Sequence, residues 1–165
     1  MLYSLVLVAA LAAPAAGDYT RAPQLNGVWA GTTALVPQRS TCWSDVCAQN
    51  DGVQLQRMFV KGKFYNNGQL ELVRRQNGEN FFSVQQRMQK RQDGMDSIMD
   101  YNISFLLQDK DHVAALMEQR VRVFGAVDGD IDCVCVFTSD MSRVLTGKQA
   151  LVGYRNLRRS RGLPE

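Results

Sequence analysis

Hydrophobic and polar residues alternate along much of this chain with a period of two. In "SIMDYNISFLLQ" (97–108), Met99, Tyr101, Ile103, Phe105 and Leu107 share one parity, while Asp100, Asn102 and Ser104 occupy the other. A strand sends successive side chains to opposite faces, so this segment predicts a half-buried strand with one wet face. In "HVAALMEQRVRVF" (112–124), Val113, Ala115, Met117, Val121 and Val123 alternate with Glu118, Arg120 and Arg122. Its Ala, Leu, Met, Glu and Gln are also good helix formers, but the valines and the alternation predict strand. Between such segments stand "NNG" at 66–68, "NG" at 77–78, "DG" at 93–94 and "DG" at 128–129. These supply the positive φ angles of tight hairpin turns. The spacing predicts an all-β fold: an up-and-down antiparallel sheet of about eight strands, closed as a barrel or folded as a sandwich.

Two segments alternate less cleanly. "VQLQRMFVKGKFY" (53–65) puts Arg57 beside Leu55 and Phe59 on one parity and Gln56 beside Met58 and Val60 on the other; "FFSVQQRMQKRQ" (81–92) is mostly polar. A barrel accommodates them better than a sandwich, because long strands run past the core with wet ends. A bulge that exchanges the two faces midway has the same effect.

Length and composition sharpen this picture. The 165 residues suffice for one domain with a real core. Residues 1–17, "MLYSLVLVAALAAPAAG", read as a secretory leader, with Ala15 and Gly17 at the small-residue positions of a cut before Asp18. The apolar run is shorter than the roughly 20 residues that span a bilayer, and charges interrupt every later one, so no membrane span is expected. Residues 18–165 are then a single secreted, extracellular barrel domain. The net charge is +3. The one basic cluster is "RNLRRSR", with Arg155, Arg158, Arg159 and Arg161. It reads as a solvated tail or as a patch for phosphate, heparin or anionic lipid. No stacking aromatics accompany it, so nucleic acid is not an expected partner.

The chain has four cysteines, an even number that suggests disulfides in a secreted protein. Cys42 and Cys47 bracket "WSDV", and Cys133 and Cys135 flank Val134 on one face of a strand. Bridges tying the first pair to the second are expected, with the pairing left open. The spacing is poor for zinc and His112 is the only histidine, so no metal and no cofactor is expected. Asn102-Ile103-Ser104 is a glycosylation sequon on the polar parity of its strand, where a glycan would not open the core.

The leader, the Gly27-Val28-Trp29 opening of the first strand and the hairpin-linked strands together resemble the lipocalin family of calycin-like secreted barrels, in a divergent form. The resemblance implies a barrel around one small ligand, with Gly27 and Trp29 at its closed end. It also implies that "VFTSDMS" supplies Thr138 and Asp140 to a turn after the seventh strand. It further implies that Arg159 or Arg161, in "LRRSRGLPE" at the exit of the last strand, packs across Trp29. Departures are visible: Ala30 follows the tryptophan where an aromatic is common, Ser139 splits the Thr-Asp pair, and the chain stops where the family continues into a helix. Trp29 reads as an end plug whose N–H wants an acceptor and whose face suits a cation, or else as ordinary core.

The expected work is therefore carriage of a small hydrophobic ligand such as a fatty acid, retinoid or pigment. Met99, Tyr101, Ile103, Phe105, Val113, Ala115 and Met117 are the expected lining; the rival is that they fill a solid core. The alternative is a scaffold that binds a protein partner, or inhibits one, through the long loop at 37–52, where Trp43 is either an anchor or a lid over the barrel mouth. An enzyme is not expected: His112, beside Asp111 in a polar turn, would have to serve any Ser-His or Cys-His arrangement alone.

Overall fold

The computed structural model describes residues 23–66, 69–76, 80–92, 94–126 and 129–163, so the expected leader lies outside the described residues. In chain order the strands are β1 (Gly27–Thr32), β2 (Ala34–Leu35), β3 (Gln54–Val60), β4 (Lys63–Asn66), β5 (Gln69–Leu72), β6 (Arg74–Gln76), β7 (Phe81–Gln92), β8 (Met95–Leu107), β9 (His112–Phe124) and β10 (Ile131–Thr146). All belong to one antiparallel sheet in the order β5-β4-β3-β1-β10-β9-β8-β7-β6, with β2 added on β10. Setting aside the two-residue β2 and three-residue β6 leaves eight. The first strand pairs with both the last and the third, and β5 lies against β7, which curls the sheet into a nearly closed barrel compatible with a calycin-like fold. The sandwich alternative is thereby removed.

Each of the four Asn-Gly and Asp-Gly signals falls between two consecutive strands, at β4/β5, β6/β7, β7/β8 and β9/β10, although most of those turn residues lie outside the described set. A fifth turn breaks 53–65 into β3 and β4. Lys61 at φ 53° and Gly62 at φ 72° form it, the two successive positive angles of a tight hairpin turn. Lysine there carries no turn signal, which is why the segment reads as a single strand.

At the C-terminal end two expectations are corrected. Thr138 and Asp140 are not in a turn: β10 runs unbroken through them, pairing with β9 from Ile131 to Ser142, with β2 at Phe137 and Thr138, and with β1 from Met141 to Thr146. Ladders on both sides carry the strand through its polar residues, and Thr138 and Asp140 point outward, exposed. The chain also continues into a helix after all, α2 (Gly147–Ser160). Thr146 and Gln149 form its capping box, satisfying backbone N–H groups at the start of the helix. The cluster read as a tail therefore lies largely in α2, where Arg158 and Arg159 occupy the last turn and complement the helix dipole. Among the described residues no helix is long and apolar enough to cross a membrane.

The core is graded along the barrel axis. Leu25, Trp29, Phe59, Phe64, Phe82 and Phe105 anchor a cluster in which every ring is essentially inaccessible. Phe59 meets Phe105 edge-on at 5.1 Å, a geometry that contributes about 0.5–1.5 kcal/mol beyond burial, and packs against Phe64 in a tilted arrangement at 5.4 Å. Trp29 is 0 % exposed and its Nε1–H donates to the Leu25 carbonyl at 2.8 Å. Gly27 enters at φ 148°, and a Cβ there would stand 2.6 Å from the Leu145 carbonyl oxygen. The glycine before the tryptophan is thus required by the close approach of β10.

Candidate functional site

The strand registers lay the inward side chains in rungs across β7, β8, β9 and β10. Phe82, Phe105, Ala115 and Ser139 form one rung, and Val84, Ile103, Met117 and Phe137 the next. Above them stand Gln86, Tyr101, Gln119 and Cys135, then Met88, Met99, Val121 and Cys133 at the rim. A mostly apolar floor is therefore overlaid by a polar belt, and the belt by an apolar rim. On β3 the inward residues are Leu55, Arg57 and Phe59, with Arg57 opposite Trp29 of β1.

The connection from β2 to β3 folds against this mouth. It contains a 3-10 turn (Pro37–Arg39) and the short helix α1 (Ser44–Ala48). Cys42 is bonded to Cys133 and Cys47 to Cys135, which resolves the pairing left open by sequence. Cys47, Cys135 and Phe137 form a small buried cluster with Leu35, Val46 and Met117 against it. The loop's return is fixed by Thr33, whose hydroxyl donates to the Asn50 carbonyl at 2.5 Å and accepts from the Val53 N–H at 2.9 Å. Asn50 donates to the Gln119 side-chain oxygen at 3.2 Å. Trp43 is not over the mouth: it is 65 % exposed and borders a separate hollow beside Gly129 and Asp130.

Between loop and belt lies a hollow of about 180 Å³, bordered by Asn50, Leu55, Arg57, Met88, Tyr101 and Met117, with Thr33, Val53 and Gln119 completing it. Beneath it is a gap of about 10 Å³ that shares Thr33, Leu55, Arg57 and Met117 and adds Ala115 and Ser139. Burial pushes the Arg57 guanidinium below its ordinary value, and the neighbouring Tyr101 opposes this without cancelling it. The same burial raises the Tyr101 phenol, against the pull of Arg57. Arg57 lies 5.6 Å from the Phe64 ring centroid. The Tyr101 hydroxyl and the Gln119 amide both approach the Met99 sulfur, at 3.7 and 3.6 Å.

The seven residues expected to line a ligand are split by this arrangement. Ile103, Phe105 and Val113 are buried in the packed cluster, and Ala115 packs against it beside the small gap. Tyr101 and Met117 border the hollow, with Met99 in contact through Tyr101. Sequence reading missed Arg57 and Gln119 as mouth residues, though both share parity with apolar neighbours.

Other expected positions lie elsewhere. The arginine across Trp29 is Arg143, 4.2 Å from the ring, and not Arg159 or Arg161. Those two stand on the exposed end of α2, where Arg161 reaches the Tyr65 hydroxyl at 3.3 Å. Asn102 is exposed on β8. His112 is exposed and lies 2.8 Å from Asp109 on the β8–β9 turn, near Arg143 at the plugged end. A shallower depression of about 650 Å³ crosses Arg87, Asp100 and Arg120. Its charges are already engaged, Arg87 with Asp100 at 2.6 Å and Arg120 with Asp132 at 2.6 Å, so the hollow at the mouth is the better candidate. Compared with known proteins, the chain matches no family model, and neither the curated proteins nor the solved structures gave a match.

Proposed function

We propose that this is a secreted, lipocalin-like carrier that takes a small molecule into the mouth of its barrel. The observation that carries the reading is the hollow of about 180 Å³ with Leu55, Met88 and Met117 as apolar wall and Arg57, Tyr101 and Gln119 as polar groups. Binding sites combine apolar lining with a few placed polar groups in this way. The volume is below the roughly 300–1,000 Å³ of sites for drug-sized ligands, which favours a short-chain or compact amphiphile over a retinoid or pigment. Two disulfides suit an oxidising, extracellular setting, and exposed Asn102 suits a glycan. Native mass spectrometry of the protein titrated with small amphiphiles tests the proposal. A one-to-one complex that is lost in Met117→Trp, which fills the hollow, supports it. No complex, or one indifferent to Met117→Trp, contradicts it.

A second reading, a scaffold for a protein partner, is favoured by Trp43. A tryptophan 65 % exposed beside a hollow of about 370 Å³, on a loop held by two disulfides, suits an interface anchor. Loss of partner capture in Trp43→Ala with amphiphile binding intact would separate the two.

A further inference from the structure

We infer that the outer face of α2 docks a linear sulfated polysaccharide, independently of what the barrel carries. Lys148, Arg155 and Arg159 follow one another at intervals of seven and four, and all three are exposed. At 3.6 residues per turn they fall within about 40° of one another, along a line about 16 Å long. Arg161 follows at the helix end. From Gly147 to Arg161 there are five cations and no anion, while the whole chain has a net charge of +3, so the remainder is net acidic. Among the described residues the side chains of Lys148 and Arg155 have no ion-pair or hydrogen-bond partner. Arg161 reaches the neutral Tyr65 hydroxyl. Arg158 and Arg159 have contacts of their own, which leaves Lys148, Arg155 and Arg161 as the cations that face outward for a partner.

The opposite side of α2 narrows the class of partner. Ala150 is buried and Leu151, Tyr154 and Leu157 are half-buried, and α2 packs against β1, β3 and β10. The apolar side that an interfacial helix would sink into a bilayer is thus spent on the barrel. Val152 is the one exposed large apolar residue of α2. Tyr154, its one aromatic, meets Tyr65 edge-on at 6.0 Å, so no ring is presented for bases to stack on. A row of spaced cations instead matches a row of spaced sulfates and carboxylates, which a guanidinium meets in paired hydrogen bonds. Lys148 also borders, with Lys110, a hollow of about 740 Å³ at the plugged end of the barrel, where the polymer can run past the start of the helix.

The test is calorimetric titration with a heparin decasaccharide, against neutral dextran and vesicles of mixed phosphatidylcholine and phosphatidylserine. The parent should bind the decasaccharide and lose at least about tenfold in affinity between about 0.05 and 0.3 M salt, as exposed charges are screened. Lys148→Gln with Arg155→Gln should weaken binding at least about tenfold, the scale of one charge-assisted contact. Lys148→Arg with Arg155→Lys should keep it. Arg39→Gln with Lys90→Gln removes the same charge away from α2 and should also keep it. All four positions are exposed, so melting temperatures should stay close to the parent's. Equal losses in the two glutamine pairs would mean that net charge alone attracts the polymer, and would overturn the assignment. So would binding that survives loss of Lys148 and Arg155, equal uptake of dextran, tighter binding to the vesicles than to heparin, or no binding at low salt.

Discussion

Arg143 and Trp29 hold each other in place: the guanidinium carbon stands 4.2 Å from the indole ring centroid. From there the guanidinium donates to the carbonyls of Asn26, Gln24 and Lys110. One side chain on the last long strand thus ties the entry to β1, the β8–β9 turn and the buried plug together. Truncating Trp29 to alanine should cost about 3–5 kcal/mol. Arg143→Met should cost about 2–4 kcal/mol, because the ring contact and three carbonyl acceptors are lost at once. Arg143→Lys should not restore the loss, since an ammonium cannot reproduce the flat fork. Urea denaturation of the single and double variants should show a coupling of about 1 kcal/mol or more; additive losses would deny the contact an energetic role.

Gly27→Ala should destabilise by about 1–3 kcal/mol, the usual cost of forcing a side chain into an unfavourable backbone region. Its φ of 148° and the 2.6 Å approach of the Leu145 carbonyl to the new Cβ act together. Gly94→Ala shares the positive φ but meets nothing within 4 Å, so its melting temperature should fall less. Equal losses would mean that backbone angle alone matters at Gly27.

Ala115 tests whether the floor of the barrel is solid. Its side chain packs against the buried cluster beside a gap of about 10 Å³. Ala115→Phe should therefore overpack and cost about 1–3 kcal/mol or more. A variant that melts with the parent would show room for a ring below the polar belt.

The bridges Cys42–Cys133 and Cys47–Cys135 span 91 and 88 residues. Closing loops of that length restricts the unfolded chain by about 4–5 kcal/mol in the chain-entropy model for a single bridge. Replacing Cys42 and Cys133 with serine should lower stability by several kcal/mol, and replacing Cys47 and Cys135 should also weaken amphiphile uptake, because Cys47 packs against Phe137 and Met117 at the mouth. Uptake unaffected by loss of the second bridge would separate the loop from the site.

Acid should weaken the outer face of the sheet. The hydrogen bond from Arg87 chiefly, and Arg122 beyond it, hold the Asp100 carboxyl below its ordinary value of 3.8. A carboxyl depressed in the folded state contributes stability above its unfolded value and loses that contribution as pH falls through the folded one. Asp100→Asn should be less stable than the parent near neutrality, and the gap should narrow as pH drops below 3.8. Parallel melting curves for parent and variant would refute the linkage.

The barrel was legible where packing follows chain-local pattern. The parity of 97–108 and 112–124 marked both long strands, because one face of each is wet and a one-residue slip would invert it. Thr146 with Gln149 carried a capping signal for α2, overlooked among basic residues read as a tail. The partner of Trp29 was misplaced because Arg143 is 114 positions away in sequence and only the β1–β10 register brings it across. Arg57 was visible on the apolar parity of its strand, yet sequence alone offers no reason to leave a cation inside. The hollow depends on the loop at 37–52 turning back over the belt, a long-range event set by two disulfides and Asn50 rather than by any local preference.

The most direct test of the account is amide and indole chemical-shift mapping of the protein saturated with hexanoate. Binding at the mouth predicts shifts at Asn50, Tyr101, Met117 and Gln119, which surround the hollow, with the Trp29 indole N–H, buried at the plugged end, unmoved. Shifts confined to Trp43, Gly129 and Asp130, or no shifts at saturating probe, would contradict it.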